Sequence, residues 1–227
     1  MKYLIVAAHP DDEVLGAGAA CYKLTQAGHA VDLCVLSGKA EARANRPSDE
    51  ELSEDIRSSM QILGISRPYI GTFPNIKLNT VEHLQMVQFI ESAVLESQPD
   101  VVITHHPADS NNDHLHTSLA CQAALRVFQR RDDVHPINEL WFMEIPSATD
   151  WCVNPSFGKF DPNLFFEIGR DGLDKKLEAL QAYVGVQRPY PHPRSTENIE
   201  ATALQRGSQA NCYYAEAFQV AFRRVIV

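Results

Sequence analysis

Four short apolar runs, residues 3–8, 30–36, 69–73 and 101–104, alternate along the first half of the chain with stretches of helical periodicity. A strand, a helix and a second strand in succession form a crossover, and βαβ crossovers build parallel sheet. The alternation predicts an α/β chain, a Rossmann-like three-layer α/β/α sandwich with a mostly parallel sheet, whose ligands bind beyond the carboxyl ends of the strands. The helices are placed by their ends. Ser48-Asp49-Glu50-Glu51 has the form of a capping box, Leu52, Ile56, Met60 and Leu63 follow on one face, and Gly64 stops the helix. Residues 13–27, 81–97 and a segment from about Leu115 carry the same amphipathic pattern. After residue 135 the signal weakens. Residues 140–145 and 164–168 read as strands and 173–183 as a helix. A proline-rich loop, 188–194, then precedes a last helix and a strand around 218–225.

No linker composition divides the 227 residues, so residues 1–227 read as a single domain. A hydrophobic fraction of 44% with 22% charged residues excludes disordered and fibrous classes. The formal charge of −9, spread along the chain, argues against nucleic acid or an anionic membrane as partner. The first apolar run is too short to cross a membrane and ends in His9-Pro10-Asp11-Asp12 without a cleavage pattern, which reads as cytoplasmic. Five cysteines at wide spacing, with no CxxC pair, read as reduced thiols, most of them core residues.

Two clusters carry chemistry. The first strand runs into Ala8-His9-Pro10-Asp11-Asp12-Glu13, and the fourth into Thr104-His105-His106-Pro107 and then Asp109-Ser110-Asn111-Asn112-Asp113-His114-Leu115-His116. Both fall at carboxyl ends of strands, where such a sheet keeps its active site. On a tight strand-to-helix turn His9 and Asp12 can converge while Asp11 points elsewhere, so that one group binds a metal and another moves protons. The second cluster can supply a third ligand. Two nitrogens and one carboxylate oxygen leave coordination positions open, as in a catalytic zinc site. Iron, cobalt or manganese fit the same donors. The competing reading is structural: acidic residues at a helix start commonly cap it and complement its dipole, and residues 111–113 have the composition of a polar loop with an N-cap. The preceding His-Pro and the position after a strand weigh against that reading. His29, His83 and His135 lie away from strand ends and read as structural.

These residues resemble the LmbE/PIG-L family of zinc-dependent N-acetylglucosaminyl deacetylases. The resemblance rests on residues 8–13, on Pro99-Asp100-Val101-Val102-Ile103-Thr104-His105, on Asn111-Asn112-Asp113-His114, and weakly on Tyr214-Ala215-Glu216-Ala217-Phe218. It implies that His9, Asp12 and His114 bind zinc and that Asp11 is the general base, acting on a small-molecule N-acylated sugar. In the family's familiar second motif a histidine stands three residues before the ligand and stabilises the oxyanion. Here that position is Asn111.

An asparagine can donate a hydrogen bond but carries no proton at neutral pH. A second imidazole is therefore expected near the acyl carbonyl. His192, between Pro191 and Pro193, is the first candidate, from the same chain or from a partner subunit if the protein forms a homo-oligomer; His106 and Asn111 are the others. Arg43, His106 and Arg194 are the candidate substrate contacts, the two arginines for sugar hydroxyls or a phosphate. If His114 were not a ligand, His116 or His106 would replace it. Rival readings are an amidase for a non-sugar substrate and a non-catalytic, metal-stabilised binding module. A nucleotide-binding Rossmann enzyme is disfavoured, because the first turn lacks GxGxxG and would set carboxylates against phosphate.

Overall fold

The computed structural model describes residues 1–39, 47–153, 156 and 158–225. Arg43 lies outside them. Seven strands form one sheet: β1 (Lys2–Ala7), β2 (Ala30–Val35), β3 (Arg67–Ile70), β4 (Val101–His105), β5 (Glu139–Met143), β6 (Leu164–Glu167) and β7 (Ala215–Arg223). Their order is β3-β2-β1-β4-β5-β7-β6. The pairs among β1 to β5 are all parallel, whereas β7 runs antiparallel to both β5 and β6. The expected mostly parallel sheet is therefore present, with a single reversed strand inserted near one edge.

Among the described residues six α-helices cover the sheet: α1 (Asp12–Gln26), α2 (Asp49–Leu63), α3 (His83–Ser97), α4 (Asn112–Ala124), α5 (Gly169–Ala182) and α6 (Thr196–Ala210). The alternating residues of β1 divide between two cores. Tyr3, Ile5 and Ala7 pack with residues of α1, α2 and α5, while Leu4 and Val6 pack with α3 and α4. That is the period of two expected for a strand buried on both faces. Three layers result.

The capping signals act as read for α2. Ser48 Oγ accepts from Glu51 N–H at 3.1 Å, Glu51 Oε2 accepts from Ser48 N–H at 2.7 Å, and Gly64 ends the helix at a φ of 74°. Elsewhere the ends shift. Helix α4 begins at Asn112 rather than near Leu115, because Asn111 caps it. Helix α5 begins at Gly169, four residues before the apolar periodicity at Leu173. Helix α3 begins at His83, after a short 3-10 turn over Leu78–Thr80. All five cysteines are free, with Cys21, Cys34 and Cys121 buried. No helix among the described residues is long and apolar enough to cross a membrane.

From β1 the chain moves one way to β2 and β3, then returns to place β4 on the other side of β1. This reversal between β1 and β4 is the crevice in which a doubly wound sheet binds its ligand. The His-Pro-Asp-Asp turn follows β1, and His105 ends β4.

Candidate active site and metal centre

Asp12, the first residue of α1, is the hub. Its Oδ2 lies 3.3 Å from His9 Nδ1, 3.3 Å from His114 Nε2 and 3.5 Å from His105 Nε2. The same oxygen accepts the His9 backbone N–H at 2.9 Å, which fixes the turn. All four side chains are buried. Burial acts to raise the Asp12 carboxyl, but His114 and His105 outweigh it and hold it well below the usual carboxylate range.

His9, Asp12 and His114 can each offer one atom within 4.8 Å of the others, and so can His105, Asp109 and His114. The donor chemistry favours the first set. His105 Nε2 already accepts the Ala8 N–H at 2.9 Å, and burial, with His114 beside it, pushes its pKa down to about 3, so it is a neutral ring with that nitrogen in use. Asp109 is committed as well, accepting from Asn111 N–H at 2.8 Å and Thr149 O–H at 3.0 Å.

His9 and His114 each have a carboxylate behind them. His9 Nε2 sits 3.0 Å from Asp113 Oδ2, which leaves Nδ1 toward Asp12. His114 Nδ1 lies 3.0 Å from Asp109 Oδ2, and Nε2 faces Asp12. Burial lowers the His114 pKa, but Asp12 and Asp109 overcome it and lift it to about 10. Despite these approaches neither ring nitrogen of His114 makes an aligned hydrogen bond. A buried polar atom left in that state costs about 1–3 kcal/mol. A divalent cation among His9, Asp12 and His114 removes that cost at Nε2, so the three residues fit a metal ion. A carboxylate on the far nitrogen of each ligating histidine is the usual means of orienting such ligands.

Asp113 lies in the second motif, but its spacing alone carries no sign of its role. It accepts the Ile76 N–H at 2.6 Å and the Leu78 N–H at 3.0 Å, which ties the segment after β3 to the histidine it supports. His105 is also buried against the site, its ring stacked 4.0 Å from that of His114.

Asp11 stands at the N-cap of α1 with φ 104° and ψ −28° and makes no side-chain cap bond. Positive φ in a residue with a Cβ costs about 1–3 kcal/mol, and such strain clusters at functional sites. Arg194 Nη1 lies 3.7 Å from Asp11 Oδ2, and its Nε donates to Ser147 Oγ at 3.0 Å. Glu13 is buried, and desolvation pushes its pKa up to about 7 against the bond from Tyr183.

The remaining candidates are placed differently. Asn111 serves as the N-cap of α4, its Oδ1 accepting from Asp113 N–H at 2.9 Å, so only its amide NH2 end is left to offer a substrate. His106 lies edge-on to Phe142 and Phe160, at 5.4 and 5.8 Å between ring centroids, and its Nδ1 accepts from Ala108 N–H. These contacts make it a packing residue beside β5. His192 is half-buried, and its Nδ1 accepts the Arg194 N–H at 3.0 Å. It is Arg194, two residues on, that reaches the cluster.

The chain and its fold have counterparts among known proteins. The chain is 28% identical over 190 residues to the uncharacterised deacetylase YaiS of Escherichia coli (strain K12), covering 79% of this chain and 89% of that one. It is 24% identical over 200 residues to the diacetylchitobiose deacetylase of Thermococcus kodakarensis, covering 80% and 68%. The crystal structure of GalB, the 4-carboxy-2-hydroxymuconate hydratase of Pseudomonas putida KT2440, superposes with a TM-score of 0.79 at 24% identity over 100% of this chain and 99% of GalB. At that identity the likeness establishes the fold. The family model described as GlcNAc-PI de-N-acetylase, PIG-L, matches residues 4–125. That match takes in more than half of the chain, both strand-end motifs and the buried His-Asp cluster they build, and the chain belongs to this family.

Proposed function

We propose that the chain is a metal-dependent hydrolase that removes an acetyl group from the amide nitrogen of an N-acetylated sugar or sugar conjugate, working as one catalytic unit. The observation that carries the reading is the buried His9-Asp12-His114 set with the ring nitrogens of His114 left without hydrogen bonds. Family membership and the deacetylase relatives support the reaction class. These three residues would hold the ion, with zinc preferred for two imidazoles and one carboxylate. When bound, such an ion supplies Lewis acidity, lowering the pKa of water and polarising an acyl carbonyl.

The protein's own groups divide the remaining work. Asp11 takes a proton from the attacking water and delivers it to the departing amine nitrogen, its carboxylate unspent on helix capping. Arg194, beside Asp11, offers guanidinium donors to the oxyanion or to sugar hydroxyls. The Asn111 amide is a second donor. His192 acts through the same loop, by holding the Arg194 backbone. The substrate is a small molecule.

The test is an amine-release assay on a panel of N-acetyl sugars with metal-stripped and metal-restored protein. Restored protein releases amine and stripped protein does not. Asp11→Asn should keep the metal and lower turnover by about two to four orders of magnitude. Release by neither preparation on any sugar would sink the reading.

A further inference from the structure

Aspartate at a helix N-cap ordinarily turns its carboxylate back onto the first backbone N–H groups. Asp11 does not, and the turn is held by another residue. Glu13 Oε2 accepts the Asp11 backbone N–H at 3.0 Å. Glu13 Oε1 accepts the Tyr183 O–H at 2.6 Å and the Ser59 O–H at 3.2 Å. Glu13, Ser59 and Tyr183 are all buried, the first two completely. Ser59 comes from α2, and Tyr183 closes α5 at its C-cap, so three helices meet on one carboxylate. The three groups bonded to it are all donors, and none competes for the carboxylate as an acceptor.

We propose that Glu13, anchored by Tyr183 and Ser59, is a positioning residue for Asp11. It locks the left-handed conformation at Asp11, which frees that carboxylate from capping and sets it facing Arg194. The inference rests on the reading of Asp11 as the proton carrier. A group that accepts and then delivers a proton has to be held in one geometry through both steps, and small displacements cost rate. The helix start alone cannot supply this hold, because its own capping geometry draws the carboxylate inward. Glu13 instead grips the Asp11 backbone by accepting the Asp11 N–H, and the tyrosine hydroxyl fixes Glu13. Glutamine at position 13 keeps one carbonyl oxygen for the Asp11 N–H and can donate to the tyrosine oxygen, so it is the conservative replacement.

The experiment is a double-mutant cycle. Tyr183→Phe removes one buried hydroxyl and little else. It should lower kcat about tenfold, the size of one lost hydrogen bond, with KM and metal content unchanged. Combined with Asp11→Asn it should cost nothing further, since the group it positions is already disabled. An equal fold loss in both backgrounds would overturn the proposal, because it would mean that Tyr183 supports the fold in general. Glu13→Gln should retain more turnover than Glu13→Ala. A crystal structure of Tyr183→Phe/Glu13→Gln and of Glu13→Ala adds a readout that needs no substrate. In Glu13→Ala the Asp11 φ should turn negative, and a φ still near the wild-type value would refute the positioning role even if no N-acetyl sugar is ever turned over.

Discussion

His114 is where the ligand assignment is most open to test, because His116 stands two residues along the same helix and His106 just past the end of β4. The two nitrogens of His114 lack hydrogen bonds, while His106 is engaged with Ala108 and two phenylalanines. His114→Ala should lose the bound metal, measured by elemental analysis, and at least a hundredfold in turnover, roughly the loss expected when one ligand of a catalytic ion is removed. His116→Ala should retain both. Spacing from the strand ends marked the two clusters as the place of the chemistry, and the family resemblance singled out His9, Asp12 and His114 within them. Asp113, Asp109 and Glu13 could not be given roles in that way, although they lie within the same motifs. Their partners are a ring's far nitrogen and backbone N–H groups at Ile76, Leu78 and Asp11, and only the folded chain brings these to a carboxylate. The prolines flanking His192 stiffen its loop, but stiffness does not decide which side chain of a loop points inward, and Arg194 is the one that reaches Asp11.

Helix α1 depends on partners far away in sequence. Lys176 of α5 donates to the Leu15 carbonyl at 2.8 Å and to Glu216 of β7 at 2.6 Å, and Glu216 accepts the N–H groups of Ala19 and Ala20 at 3.2 and 2.7 Å. All of this is buried, and a Cβ at Gly16 would collide with Met143 and Ile145, so α1 lies close against β5. Removing one member of a buried ion pair costs about 3–5 kcal/mol, whereas replacing both with apolar side chains is often neutral. Lys176→Met should therefore lower the denaturation midpoint sharply, and Lys176→Met/Glu216→Met should recover most of the loss; a double variant no more stable than the single one would show that the pair itself is required. Among the elements, those with period-two or capping signals were legible, α2 most fully. The direction and place of β7 were not. A strand's partners follow from the path of the chain, and β7 enters between two strands made before it.

Across the whole molecule a bound metal and the fold should be coupled, because the proposed ligands arrive from separate segments, the turn after β1 and the start of α4. An ion that binds only the folded state adds about 2.7 kcal/mol at a hundredfold excess over its Kd. For a domain of this size that raises the melting temperature by about 5–10 °C. Stripping the metal should lower the Tm by that amount and adding zinc should restore it; an unchanged Tm would argue against the site. The placement of β7 also governs the order in which the protein can be made. Strand β5 pairs with β4 on one side and β7 on the other, and its Leu140, Trp141, Phe142 and Met143 are buried. On a ribosome, which releases the chain from its amino end, β5 emerges as an open apolar edge and Lys176 as a cation without its carboxylate. Both stay so until more than seventy further residues have followed β5 and β7 arrives. The nascent chain therefore has a built-in interval of exposure, during which an unpaired edge invites association with other chains. Chaperones that cover strand edges would act in that interval, and the yield of folded protein would depend on how quickly the last strand is synthesised.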